Sequence, residues 1–260
     1  MKKHVVCLLI ATAAFSTVLA SCSIGGSSQE SATKAAHSAM SYSERASYYD
    51  QLVAGDNDPI PLTTALNSSV SIEGDINLLE EEPYQRLVEL SNQVFPRMRA
   101  KYAERASLSI TITLDGSSAG YSPYYAAGNT VVINTDWLNS HPQECDAVIE
   151  AFAAIIFNYS SNASVPDWLR SAIKIYVRDE YGLYRGGSSF RLPQRYNGKS
   201  YEKDSYSGAA FLKWIKESKQ VDIVERLNRH IRSYEGYKDE IWKLATDKTL
   251  DQLWTEYTNA

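Results

Sequence analysis

Val148-Ile149-Glu150-Ala151-Phe152-Ala153-Ala154-Ile155-Ile156-Phe157 is an apolar run interrupted by a single charge, Glu150. A strand is typically about five or six residues long, and this run is longer and holds no Gly or Pro to end it early. A helix that is apolar on nearly every side is one surrounded by core. The run therefore predicts a central buried helix around which the rest of the domain packs.

Working outward toward the N-terminus, Thr130-Val131-Val132-Ile133-Asn134 follows the turn-forming pair Gly128-Asn129 and reads as a strand. Before it, Leu108, Ile110, Ile112 and Leu114 alternate with Ser109, Thr111 and Thr113, the period-two pattern of a half-buried strand. Tyr84, Leu87, Val88, Val94, Phe95, Met98 and Tyr102 recur at helical spacing, with Pro96 placed to kink that helix. Toward the C-terminus the readings are all helical. Pro166 opens a helix through Trp168, Leu169, Ile173, Tyr176 and Val177 that stops near Gly182. Others are predicted over about 205–219, 221–233, 238–246 and 250–258, the last with Thr249 and Gln252 at capping-box spacing. Strands first and helices after predict an α+β domain: a small N-terminal β-sheet with helices, then a helical half.

This domain occupies 70–258, which is long and apolar enough for one sizeable core. Residues 47–69 are an ambiguous lead-in with a turn-like cluster, Gly55-Asp56-Asn57-Asp58-Pro59. Residues 23–46, SIGGSSQESATKAAHSAMSYSERA, are poor in large apolar groups and read as a flexible tether. Residues 1–21 have the layout of a secretory signal: Lys2 and Lys3, then an apolar stretch from Val5 to Val18, then small residues. That stretch is too short and wrongly flanked for a membrane span. Leu19-Ala20-Ser21-Cys22 resembles the lipobox of bacterial lipoproteins, which implies that Cys22 receives acyl chains such as palmitate and becomes the first mature residue. Ser23 rather than Asp after the cysteine implies, by the same resemblance, the outer membrane of a bacterial envelope.

Loss of the signal removes Lys2 and Lys3 and takes the formal charge from −5 to −7. Such a balance argues against nucleic acid as a partner, because nothing neutralises phosphates in bulk. Of three cysteines, Cys7 leaves with the signal and Cys22 is lipidated, so Cys145 is left alone and no intramolecular disulfide can form. In Pro142-Gln143-Glu144-Cys145-Asp146, a helix start, Cys145 reads as a small packed residue.

Four segments, in order, resemble the basic secretory protein family of plants and bacteria. Val165-Pro166-Asp167-Trp168-Leu169 with Tyr176-Val177-Arg178 resembles the stretch that ends Glu-Gly-Ile-Ala-Asp-Tyr-Val-Arg in that family. Ala119-Gly120-Tyr121 with the strand at 130–134 is similar to its Ala-Tyr and following strand. Tyr206 with Ala210-Phe211-Leu212-Lys213-Trp214 is similar to its Tyr-x-x-x-Ala-x-Phe-Leu helix, and Leu250-Asp251-Gln252-Leu253-Trp254 to its C-terminal Asp-Gln-Leu-Trp. Together these span about residues 80–258. The resemblance implies a zinc peptidase of the gluzincin type, although this chain is acidic rather than basic.

In a His-Glu-x-x-His helix, residues at i and i+4 share one face and carry two imidazoles to one ion, while the Glu acts as base on the metal-bound water. Laid on the central helix, the motif puts its histidines at Ile149 and Ala153 and its glutamate at Glu150. The third ligand falls on Ser171, and an Asp four residues later in the family falls on Ile175. Only Glu150 keeps its identity. The histidines, His4, His37, His141 and His230, form no His-x-x-x-His pair. The reading is a member with degenerate ligand positions, no metal and no cofactor, with Glu150 and Tyr206 as remnant site candidates. Glu150 also reads simply as a helix residue that reaches solvent or an arginine, and Tyr206 as part of the core.

Three functional classes stay open. One is a pseudopeptidase that binds a peptide or a neighbouring envelope protein, which eighteen tyrosines and five tryptophans favour as contact surface. A second is a hydrolase with other chemistry, which needs a nucleophile beside a base; serines such as Ser207 show no such neighbour in sequence. The third is a purely structural envelope lipoprotein.

Overall fold

The computed structural model describes residues 70–103, 108–116, 123–233 and 236–260. The signal, Cys22, the tether, the lead-in to 69 and the Ala119-Gly120-Tyr121 segment lie outside them. The architecture is mixed α+β, as the order of patterns predicts. Strands β1 (Val70–Glu73), β2 (Ile110–Asp115), β3 (Tyr124–Ala127) and β4 (Thr130–Asn134) form one sheet in the order β1-β2-β4-β3. Ile110, Ile112 and Leu114 of β2 are buried while their neighbours are half-buried, so the alternation in sequence is the alternation of faces.

Two pairings, β1 with β2 and β2 with β4, are parallel. A parallel neighbour requires a long crossover, and between β1 and β2 the chain supplies one as α1 (Glu81–Glu89), a π-helical turn (Leu90–Val94) and α2 (Phe95–Tyr102). The irregularity expected at Pro96 takes the form of that π turn. A proline ring clashes with the carbonyl four residues back, and one wide turn just before it relieves the conflict. β3 and β4 are antiparallel and joined through Gly128-Asn129, with Gly128 at φ +57°, the left-handed conformation a two-residue hairpin demands.

After α3 (Thr135–Ser140) and a 3-10 segment (Pro142–Ala147) comes α4 (Val148–Ile156), the predicted central helix. Val148, Ile149, Ala151, Phe152, Ala153, Ile155 and Ile156 are all buried. It packs against β3 and β4 and against α2 and α5 (Asp167–Tyr181), with Phe152 edge-on to Phe95 at 5.4 Å. Contacts on so many sides explain why it carries almost no polar residue.

The helical half continues as α6 (Ser205–Lys219), α7 (Ile223–Arg232), α8 (Glu240–Thr246) and α9 (Leu250–Thr258). α7 begins later than its apolar pattern, because the Asp222 side chain accepts from the Glu225 N–H and caps the helix there. The capping box of α9 is present: Gln252 N–H donates to Thr249 Oγ1 at 3.2 Å and Thr249 N–H to Gln252 Oε1 at 2.9 Å. α5 and α6 pack closely at Gly208, where a Cβ would lie 2.9 Å from that of Ala172.

Candidate functional site

Ile149 and Ala153, one turn apart on α4, are both fully excluded from solvent. Ser171 on α5 is half-buried, and Ile175, one turn further, is 8% exposed. Two aliphatic side chains offer no lone pair, and zinc sites are built from thiolate, imidazole and carboxylate. Among the described residues no group of three His, Cys, Asp or Glu side chains is arranged to hold an ion. His141 is exposed and stacks on Trp137 at 4.6 Å, while His230 is buried in α7. The residues at the expected positions do not fit a zinc ion.

What occupies this region is an ion-pair network. Arg178 lies seven residues beyond Ser171 and three beyond Ile175, hence on the same face of α5. Its Nη1 donates to Glu150 Oε1 at 2.9 Å and its Nη2 to Glu144 Oε2 at 2.6 Å. The other Glu150 oxygen accepts from the Tyr124 hydroxyl at 3.4 Å. Arg178 is 7% exposed, and its guanidinium lies 4.2 Å from the centre of the Phe190 ring. Burying a charge is tolerable only with such partners.

Glu144 also accepts from the Ser188 hydroxyl at 2.8 Å and from both the backbone N–H and hydroxyl of Ser189. Burial pushes its pKa upward, but these hydrogen bonds and the Arg178 charge together hold it below the usual carboxylate range. Asp146 accepts the backbone N–H groups of Leu183 (3.1 Å) and Tyr184 (2.9 Å); there burial prevails and its pKa is raised. Two acids just before α4 thus pin the chain that follows α5.

Tyr206, in the first turn of α6, is 36% exposed, and its ring packs on Phe190 at 5.6 Å. Burial raises its phenol pKa, with Arg178 opposing and Glu150 and Glu144 reinforcing. The two candidates Glu150 and Tyr206 are therefore neighbours in space, joined through Arg178 and Phe190. Chemically, both Glu150 oxygens are engaged as acceptors, and no serine, threonine or cysteine side chain among the described residues is hydrogen-bonded to it. Ser207 is buried, with its hydroxyl on Asp204 (2.6 Å) and Asn197 (3.1 Å) at the start of α6. Burial first, then the Asp146 charge, pushes the Cys145 thiol up to about 12, so it is not a thiolate at neutral pH.

Sequence reasoning missed Arg178, Glu144, Phe190 and Tyr124 as parts of this site. One available signal was Arg178 itself, a cation three residues beyond Ile175 and seven beyond Ser171 on the same helix face. A cavity of about 540 Å³ is lined instead by residues of the helix ends, including Trp168, Tyr201 and Tyr237, and by none of Glu150, Arg178 and Tyr206.

A family model described as peptidase of plants and bacteria matches residues 105–257. The match starts at 105, so β1, α1 and α2 precede it. No curated protein and no solved structure matches the chain. Residues 105–257 are more than half of the chain and take in α4, Arg178, Tyr206 and most of α9, and the chain therefore belongs to the basic secretory protein family, the peptidases of plants and bacteria.

Proposed function

We propose that this chain is a bacterial envelope lipoprotein whose peptidase-family domain performs no zinc-dependent hydrolysis and instead binds a peptide or a neighbouring envelope protein. One observation carries the loss of catalysis: the resemblance puts the imidazole ligands at Ile149 and Ala153, and both are core residues with no exposure. Glu150, at the position of the base, accepts from Arg178 with one oxygen and from Tyr124 with the other. A guanidinium compensates the carboxylate charge, but it cannot lower the pKa of a bound water as a Lewis acid does. The gluzincin likeness rests on the sequence motif alone.

The envelope placement rests on Leu19-Ala20-Ser21-Cys22. No helix among the described residues is long and apolar enough to cross a membrane, and acyl chains contribute about 0.8 kcal/mol per buried methylene, so several chains are needed to hold firmly. The test is a peptidase assay against mixed peptide substrates with added zinc, on protein purified from membranes. Turnover that a chelator abolishes and zinc restores overturns the reading; absence of turnover with retained peptide binding supports it.

A further inference from the structure

The cavity of about 540 Å³ is within the range of small-ligand pockets, and its walls are prepared rather than collapsed. Trp168 meets Tyr201 edge-on at 4.5 Å and stacks on Trp242 at 6.2 Å. Trp242 Nε1 donates to the Tyr237 hydroxyl at 2.9 Å, which donates in turn to Asp239 at 2.7 Å, fixing a second aromatic wall. Tyr201 lines the cavity and is nine-tenths buried, yet its hydroxyl has no hydrogen-bond partner among the described residues. The hydroxyl oxygen itself is not sealed from solvent; it is open where the cavity is, and a ligand there can use it as an acceptor without breaking a bond inside the protein.

The rim sets the charge of that ligand. Glu202, Asp239, Glu240 and Asp251 line it against one cation, Lys243. Several other carboxylates of the helical half are paired: Asp179 with Lys213 at 2.8 Å, Glu180 with Lys216 at 2.6 Å, Glu256 with Lys219 at 2.5 Å. Glu202, Glu240 and Asp251 have no ion-pair partner among the described residues. The cavity also lies at the N-terminal ends of α5, α8 and α9. Each end brings roughly half a positive charge at most, which leaves four carboxylates and one ammonium still negative on balance.

We propose that this cavity is a binding site for an organic cation, the guanidinium or ammonium group that an arginine or lysine side chain of a peptide presents. Trp168 and Tyr237 supply aromatic faces, which attract cations, and the Tyr201 oxygen and the rim carboxylates supply acceptors. The site is separate from the Glu150–Arg178 network and does not rest on the loss of zinc chemistry.

The test titrates the purified full chain with acetyl-Gly-Arg-Gly-amide, acetyl-Gly-Lys-Gly-amide and agmatine, with acetyl-Gly-Gln-Gly-amide and chitotriose as neutral probes. Tryptophan fluorescence, which Trp168 reports directly, and calorimetry are the readouts. The Arg and Lys peptides should bind about tenfold tighter than the Gln peptide, with affinity falling as salt rises. Peptides tighter than agmatine assign the site to peptide side chains; agmatine equal or tighter assigns it to free amines, and both support a cation site. Tyr201→Phe, and separately Glu240→Gln with Asp251→Asn, should weaken the Arg peptide about three- to tenfold while circular dichroism and melting stay unchanged. Equal binding of the Gln peptide, a preference for chitotriose, or indifference to the double carboxylate variant overturns the proposal.

Discussion

Replacing Arg178 by Met keeps most of the side-chain volume and removes the charge that Glu144 and Glu150 share. In the parent the three side chains are 8%, 11% and 14% exposed, so water is a poor substitute partner. Removing one member of a buried pair typically costs about 3–5 kcal/mol. Glu144 keeps its donors from Ser188 and Ser189 and Glu150 keeps Tyr124, which favours the lower end, about 3 kcal/mol. For a domain of this size that is a fall in melting temperature of roughly 6–12 °C. The defect should depend on pH with a definite sign. In the parent, Glu144 has a folded pKa below its unfolded value; its contribution is present above the unfolded pKa and fades as pH falls through the folded one. In the variant Glu144 loses the Arg178 charge, one of the causes of its depressed pKa, so the stability lost is fully felt above the unfolded pKa and fades as pH falls through the parent's folded one. Urea melts of parent and Arg178→Met between about pH 4 and 8 should therefore converge toward the acid end. A difference under about 1 kcal/mol, or one independent of pH, would refute the claim that this network is what holds the site.

Cys22→Ala should leave the protein unacylated, unprocessed at that position or released from membranes; fatty-acid labelling that persists in the variant contradicts the lipoprotein reading. Gly208→Ala should cost about 1–2 kcal/mol, since the strain of a Cβ 2.9 Å from that of Ala172 exceeds the helix-propensity gain of alanine; Ala172→Gly should restore part of it, and chemical melts of the single and double variants decide. Ile149→His, Ala153→His and Ser171→Glu together should bind zinc far more tightly than any single change, as calorimetry would read, because only the set completes a chelate. Ile149→His and Ala153→His singly should lose stability by setting a polar group in an apolar place, and if a folded triple variant binds zinc no better than the parent, the motif is misplaced on α4.

Local chemistry made much of the fold legible. The apolar run of α4, the ends of α6 at Ser205 and Lys219, and the Thr249–Gln252 box follow from periodicity and capping within a few residues. The parallel sheet was not legible, because β1 is four residues long and its pairing with β2 depends on a crossover that no local signal announces. The site was partly legible. The resemblance marked Glu150 and Tyr206, but the side chain between them, Arg178, lies 28 positions from Glu150 and 34 from Glu144. Pairings at that separation are decided by how α4 and α5 pack, not by any pattern within either helix.

Whether this member of a peptidase family works without zinc is decided by metal analysis of the purified protein alongside its melting curve with and without a chelator. With Ile149 and Ala153 in the core and Arg178 on Glu150, zinc should be substoichiometric and the chelator should leave the melting temperature unchanged, since no metal-binding energy is coupled to folding. One tightly held zinc per chain, removed by the chelator together with thermal stability, would contradict it.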